Sequence, residues 1–585
     1  MKTSRRSFLG GLAAAAAGSA FAELPKAAPA IRLGVMTDTH VGKTVESCAR
    51  VRQALELFRE QGAELVINNG DIADHHYEDG YRAYRQVFNE VYASGPKPQE
   101  IYAYAWHDAF DFRGHPRDQV VADSPEAFED TRKLLEAPHG HTAEIRFKDY
   151  TFLVMPQFTG SKGFLTWDDY EKRVAAACKA NPGKPVFVVD HVPPRGTVYY
   201  SVEWGCGRSR KILEKYPQVV AFTGHVHGSI RSDRFIWQDS FTVINAGCLF
   251  GWDGLLAGRL LPVPGGARNG YDKQEWGVLT VDVHADRLVV RRWDVRDRRE
   301  VAAPWVVPLP FVAATAPYRW QTLRDATPKA EFAPGAKVTA TPVMKDKTFA
   351  GWQIDFTDSA KGATNYRIVA ERRLADGTWG DRALCELFSD YCRRPQDRRP
   401  TLRYGMPAAY FAPSSDYRIS VSPMTAFGDV GAPIFTEVKT PAAFAPSTVV
   451  WESKDPMKDL QFVRCSDRRP YTVGADGFCG PLAAWASQLV LPSGLFAGAA
   501  GTRYRLTADV RVICPSHEQQ PRIGLVAKGT AGGGRRGEYH GFGDIRSLRF
   551  AEVTVGATPV DYDLEIWEAG LGKVRFERLR LERLG

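Results

Sequence analysis

Residues 219–227 read Val219-Val220-Ala221-Phe222-Thr223-Gly224-His225-Val226-His227, and the reading of this stretch decides the fold. The apolar run Val219–Thr223 has strand character, and a glycine with two histidines one residue apart follows it directly. A polar cluster at the end of a strand is where sites in α/β sheets usually form.

The same arrangement recurs upstream. His191 follows the strand Val186–Asp190. Trp106-His107-Asp108 ends the strand Glu100–Ala105, and Gly70-Asp71-Ile72-Ala73-Asp74 ends Glu64–Asn68. Asp38-Thr39-His40 ends Ile31–Thr37. Between these strands, Val45–Arg59, Tyr81–Tyr92, Pro125–Leu135, Asp168–Ala180 and Arg208–Lys215 place apolar residues at helical spacing. Further strands are expected at Ala143–Phe147 and Thr151–Met155. Such alternation predicts an α/β layered domain. All but two of the 13 histidines, His517 and His540, precede residue 285, which directs attention to this half. Imidazole and carboxylate together suit iron, zinc or manganese rather than calcium.

In order, the five clusters are D-x-H, G-D, x-H-D, H and G-H-x-H, and over about residues 31–302 the chain resembles the calcineurin-like metallophosphoesterases. Each motif alone is common by chance; five in this order, most at strand ends, are specific. The resemblance implies a four-layer α-β-β-α sandwich and one or two divalent transition metal ions, Fe, Zn or Mn. Two such ions about 3.5–4 Å apart clamp a phosphoryl group and generate hydroxide near neutral pH. By the family pattern Asp71 bridges the ions. Asp38, His40 and His227 complete the first site, while His191 and His225 serve the second. His107 stands beside the phosphate, stabilising its charge or protonating the leaving oxygen, with Asp108 orienting it.

One departure bears on the second site. The family has Asn where this chain has Trp106, and indole offers no lone pair to a cation. Water, substrate or a nearby group such as His75 or His76 would fill the gap, although the His pair reads more readily as a solvated loop. Asp74 stands where purple acid phosphatases carry their signature tyrosine, which disfavours that subfamily. The segment Gly251–Tyr271, rich in Gly, Pro and aromatic residues, reads equally as a substrate-contacting loop or a plain surface insertion.

Beyond Trp305 helical periodicity nearly disappears. Pro304, Pro308 and Pro310 punctuate an expected linker, so residues 31–302 are expected to fold alone. Two all-β sandwich domains are expected after it, at 311–442 and 447–585. Asp416–Pro423 followed by Ala426-Phe427-Gly428 resembles the closing strands of a fibronectin type III domain, with Tyr417 as its tyrosine-corner residue. The last segment is similar to jelly-roll carbohydrate-binding modules in its final strand. There Trp451, Trp485 and Trp567 are either sugar-stacking platforms or core.

The 585 residues imply several domains. A charge of +8 arising from 76 basic against 68 acidic residues is a mixed surface, with no zinc finger and no dense basic stripe for a nucleic acid. The N-terminus carries an address. Ser4-Arg5-Arg6-Ser7-Phe8-Leu9, a weakly apolar run and Ala20-Phe21-Ala22 resemble a twin-arginine export signal over residues 1–22. An ordinary secretory signal is the alternative, and either route predicts a periplasmic or secreted protein. No later stretch reaches the ~18 apolar residues of a membrane span. Nine cysteines leave at least one unpaired; Cys385 with Cys392, or Cys465 with Cys479 or Cys514, are candidate pairs in an oxidising compartment. The expected function is hydrolysis of a phosphate mono- or diester by attack of a metal-bound hydroxide. The substrate would be linked to a glycan, a cell wall or a lipid headgroup. The competing reading, kept open by Trp106, is a non-catalytic metal-binding scaffold for a glycan-binding C-terminus.

Overall fold

Strands in the first half of the chain read as unbroken apolar runs because they are covered on both faces, as parallel strands require. In a computed structural model of the chain these runs build two mixed sheets. The structure describes residues 27–585 apart from 43–45, 75–77, 109–124, 162, 251–274, 346, 360, 443–445, 483–485, 515, 517, 520, 529–535, 541–542, 550–552 and 568. The export signal, His75 and His76, the Gly251–Tyr271 segment and Trp485 therefore lie outside the described residues, as does the side chain of Trp106.

In chain order the first elements are β1 (Ile31–Met36), α1 (Ser47–Glu60), β2 (Leu65–Asn68), α2 (Glu78–Val91), β3 (Gln99–Tyr102) and α3 (Pro125–Leu134). Then come β4 (Ala143–Phe147), β5 (Tyr150–Val154), α4 (Trp167–Ala180), β6 (Val186–Val189), α5 (Ser201–Trp204), α6 (Gly207–Leu213) and β7 (Val219–Thr223). The series closes with β8 (Ile236–Trp237), β9 (Thr242–Asn245), β10 (Gly277–Val283), β11 (Arg287–Asp294), β12 (Arg299–Glu300) and β13 (Trp305–Pro308). One sheet runs β12-β11-β10-β1-β2-β3 with β13 on β11, and the other β4-β5-β6-β7-β9-β8. β1, β2 and β3 are mutually parallel, as are β5, β6, β7 and β9.

Side-chain alternation separates the cores. Leu33, Val35, Ile67, Phe152, Val154, Phe187, Val189 and Phe222 share one cluster, to which both sheets contribute. Their neighbours point the other way. Met36 and Val66 join Val51, Leu55 and Phe58 of α1 with Tyr84 and Phe88 of α2. Leu153, Val186 and Val188 join Tyr170 and Val174 of α4 and Ile212 of α6.

Twelve expected elements up to residue 223 are present, with ends shifted by a few residues. The expected linker is different. Trp305–Pro308 is a strand paired with β11, and Trp305 is buried in the shared core, so the sheet runs past residue 302.

The middle region holds seven strands in two antiparallel sheets. Val338–Lys345, Thr348–Thr357 and Thr401–Pro407 form one; Asn365–Arg373, Trp379–Phe388, Asp416–Met424 and Ile434–Lys439 form the other. The Tyr417 hydroxyl accepts a hydrogen bond from the Ala412 N–H at 2.8 Å, the bond a tyrosine corner makes. From Ser447 onward two five-stranded sheets follow. Trp567 is buried in the last region, so it is core rather than a sugar platform, and Trp451 packs against the hydrophobic cluster that includes Leu579 and Leu581. Cys465, Cys479 and Cys514 are free thiols, which corrects their candidate pairing. Among the described residues no helix is long and apolar enough to cross a membrane.

Gly34 marks how tightly β1 is held. A Cβ there would lie 2.5 Å from the Phe58 ring, which is itself fully buried. Gly34→Ala should force α1 away from the strand that leads into Asp38. Overpacking of this kind costs about 1–3 kcal/mol, visible as a lowered unfolding midpoint in a thermal melt of the full chain.

Candidate metal centre

Carboxyl ends of β1, β2, β3, β6 and β7 meet where the two sheets adjoin, and every expected site residue follows one of them. The exits are tied together by backbone. Asp38 and His40 donate their N–H groups to the carbonyls of Gly70 and Asp71, at 2.9 and 3.0 Å, and Gly224 donates to His191 at 2.8 Å. Asn245, at the end of β9, donates its side-chain amide to the Gly224 carbonyl at 2.7 Å. Asp38, His40, Asp71, His225 and His227 all adopt left-handed backbone, with φ from 41° to 71°. Non-glycine residues cluster in this region where the surroundings over-determine them, and functional sites are a common place for it.

Each carboxylate has one oxygen anchored and the other presented. Asp38 Oδ2 accepts from the Thr37 hydroxyl at 2.8 Å and the His225 N–H at 3.0 Å. Its Oδ1 faces His227 Nε2 at 2.8 Å and His191 Nε2 at 3.8 Å. Asp71 Oδ1 accepts from the His107 N–H at 3.1 Å. Its Oδ2 lies 3.3 Å from His191 Nε2, 3.9 Å from His40 Nε2 and 4.0 Å from His107 Nε2. The Nε2 atoms of His40 and His227 are 3.2 Å apart. Ligand atoms of Asp38, His40, Asp71 and His227 thus converge within 4.8 Å, as do those of Asp71, His191 and His225. Asp71 is common to both groups.

Ring orientation is fixed from outside the cluster. His191 Nδ1 lies 2.8 Å from the Asn69 carbonyl oxygen, which makes Nδ1 the donor and turns Nε2 inward. Asp74 Oδ1 sits 3.3 Å from Nδ1 of both His40 and His107.

Here the structure corrects one expectation. Asp108 does not orient His107. The two share a 3₁₀ turn, Trp106–Asp108, in which successive side chains point about 120° apart. The Asp108 carboxylate turns inward to accept from the N–H groups of Ile72 at 3.0 Å and Ala105 at 3.2 Å, and from the Tyr81 hydroxyl at 3.1 Å. Asp74 takes the orienting position instead. Its place one turn after the Gly70-Asp71 motif was its only sequence signal; Thr37, Asn69 and Asn245 gave none.

Electrostatics follow from the crowding. Burial alone would raise the Asp71 carboxyl, but the imidazoles of His191 and His107 hold it well below the usual carboxylate range. Asp38 is likewise lowered against burial, by His227 and His191. Burial opposes a charge on His191, yet Asp71 and Asp38 push it up to about 9. His107 is raised against burial by Asp71 and Asp74. Burial and the neighbouring His191 push His225 down to about 3, while burial lowers His40.

The family model for calcineurin-like phosphoesterases matches residues 31–229, the stretch that carries all of these groups. Comparison with curated proteins gives no match. Among solved structures, a conserved uncharacterized protein from Streptococcus pneumoniae TIGR4, described as a predicted phosphoesterase, is 10% identical over 48% of this chain and 97% of that one, with a TM-score of 0.22. A purple acid phosphatase from yellow lupin (Lupinus luteus) seeds is 13% identical over 48% of this chain and 55% of that one, with a TM-score of 0.33. A glycosyl hydrolase family 2 member from Bacteroides cellulosilyticus is 10% identical over 96% of this chain and 60% of that one, with a TM-score of 0.21. Likenesses this distant carry no argument about activity.

A metal entering this cluster must displace the proton that the carboxylates hold on His191. That group is raised from 6.5 to about 9, so its contribution to stability is full below pH 6.5 and is lost as pH rises through about 9. Metal affinity should therefore climb with pH across that window. Manganese(II) titration at pH 7.5 should release about one proton or more per chain, read as a buffer-dependent heat in calorimetry. Equal heats in buffers of different ionisation enthalpy would contradict it.

Proposed function

We propose that the chain is an exported metal-dependent phosphoesterase that hydrolyses a phosphate mono- or diester. The observation that carries this reading is the pair of buried carboxylates, each anchored through one oxygen and presenting the other to inward-turned imidazoles. Asp38 Oδ1 lies 2.8 Å from His227 Nε2 and 3.8 Å from His191 Nε2, and Asp71 Oδ2 lies 3.3 Å from His191 Nε2. These mixed nitrogen and oxygen donors, packed this closely, fit iron, zinc or manganese. Asp38, His40, Asp71 and His227 would hold one ion; Asp71, His191 and His225 would hold a second, with one ligand fewer than the family because Trp106 replaces Asn. Bound there, the ions supply Lewis-acid polarisation of a phosphoryl oxygen and activation of water.

His107 does the proton work in this reading. Its side chain is 21% exposed, its Nδ1 is engaged by Asp74, and its pKa is raised. It is positioned to carry a proton at Nε2 for the leaving oxygen. Asp74 is a positioning residue that aligns His40 and His107 together.

We read the two sheets and their helices as the four-layer α-β-β-α arrangement, with the catalytic domain running to Pro308. The middle region, 311–442, is read as fibronectin type III-like on its three-plus-four strand order and its Tyr417 bond, and 447–585 as jelly-roll-like. These sandwiches would hold the enzyme near an ester on a glycan, a cell wall or a lipid headgroup. Arg5-Arg6 would direct the folded, metal-loaded chain to the periplasm or beyond. Changing Arg5→Lys together with Arg6→Lys should leave it in the cytoplasmic fraction.

The deciding experiment loads the full chain with manganese, zinc or iron and offers p-nitrophenyl phosphate and bis(p-nitrophenyl) phosphate. Hydrolysis of either is expected. Asp71→Ala should lose metal from both sites together with activity. His107→Asn should keep its metal and lose about 100- to 10,000-fold in turnover. A wild-type chain that binds metal yet is inert toward every ester leaves the scaffold reading standing.

A further inference from the structure

The segment that follows His191 is held partly by its own domain, through the Tyr199 N–H to the Arg234 carbonyl at 2.9 Å and the packing of Val198, Tyr199 and Trp204, and partly from outside it. From Val192 to Cys206 its only helix is α5, a single turn of four residues, too short to sustain itself. Tyr200, which opens that turn, has φ of 66°, a left-handed conformation that a bulky residue adopts only under outside constraint. Trp204, which closes it, stands edge-on to the ring of His225, with centroids 5.9 Å apart.

Further constraint comes from the last sandwich. Glu518 Oε2 accepts from the Tyr200 N–H at 2.8 Å. Its Oε1 accepts from Arg234 Nη2 at 2.6 Å, and Arg234 Nη1 donates to the Thr197 carbonyl at 2.9 Å. The neighbouring Gln519 donates its amide to Glu203 Oε2 at 2.7 Å, and the same oxygen accepts from the Gly570 N–H at 2.9 Å. Glu518, Gln519, Arg234, Tyr200 and Glu203 are all buried, none exposed by more than 4%. A buried ion pair contributes little net stability against a well-packed apolar alternative, whereas losing one partner strands the other. What these contacts accomplish is geometric: two adjacent side chains fix both ends of α5.

We propose that the last sandwich is a working part of the metal centre. Glu518 and Gln519 act as positioning residues for the segment 197–205 and, through Trp204, for the His225 ring at the second metal site. The proposal rests on the reading of His225 as a ligand of that site. With Trp106 in place of the family's Asn, His225 is one of three protein ligands left to that ion, so its orientation weighs more than usual. The sandwich then acts on the centre from outside, orienting a ligand ring by packing as hydrogen-bonded partners of metal ligands do by donation.

Manganese(II) binding to the full chain tests it, together with amide hydrogen exchange read by mass spectrometry over residues 193–206. Glu518→Ala should speed exchange in that segment and weaken the second manganese equivalent about 10- to 100-fold, leaving the first within a few-fold of wild type. Glu518→Gln, which keeps an acceptor for Tyr200, should fall between. Because Glu518→Ala strands the buried Arg234 guanidinium, Trp204→Ala provides the other arm. It leaves the Glu518 and Gln519 hydrogen bonds untouched and should weaken the second equivalent alone. The proposal is overturned if Trp204→Ala, or a folded Glu518→Ala, binds the second equivalent like wild type. A wild-type chain that binds no manganese overturns the metal reading itself, and that outcome is seen before any variant is made.

Discussion

Two carboxylates buried within reach of one another are the constraint on which the rest of this structure depends. Asp38 and Asp71 sit almost fully out of water, where like charges repel strongly and lack solvent to screen them. They are compatible with folding because each hands one oxygen to a donor and the other to imidazoles. Building that arrangement requires loops from both sheets to meet at one point, with the backbone bent left-handed at five ligand positions. Gly224 belongs to the same requirement. A Cβ there would lie 1.9 Å from the Thr37 hydroxyl and 2.7 Å from Asp38 Oδ2, so no other residue leaves room for the anchored oxygen.

Much of this was legible in the sequence, for a physical reason. Parallel strands covered on both faces must be apolar throughout, so β1, β2, β6 and β7 stand out as runs such as Val186-Phe187-Val188-Val189. The chemistry sits in the first polar residues after each run, which places Asp38, His40, Asp71, His191, His225 and His227 at one edge before any coordinates are known. Antiparallel additions were harder. Arg287–Asp294 carries three arginines, and Trp305–Pro308 lies among prolines, so neither looks like part of a sheet. Yet Arg292 packs its guanidinium over Trp305, donates to Asp233 at 2.9 Å, and lets a charged strand be covered.

The partners of the ligands were the least legible part. Asp108 beside His107 invites the assumption that the pair acts together, but a 3₁₀ turn separates neighbours and Asp108 serves the backbone of the preceding loop. Asp74, thirty-three residues before His107, reaches it because β2 and β3 are adjacent and parallel. Sequence distance is a poor guide wherever an outer partner is chosen by sheet order. Glu518 and Gln519 are the extreme case, since nothing near them in sequence marks them as neighbours of a metal ligand.

That separation has a consequence for biosynthesis. Arg234 and Glu518 are 284 positions apart, so at 5–20 residues per second the ribosome needs roughly 15–60 seconds between making one and making the other. Throughout that interval the loop beside His225 exists without the side chains that shape it. The two sheets and the clustered Asp and His residues can assemble while synthesis continues, but the segment 197–205 gains its contacts with Glu518 and Gln519 only after those residues have been made. The surroundings of His225 are therefore completed late, by contacts that wait on translation of the last sandwich.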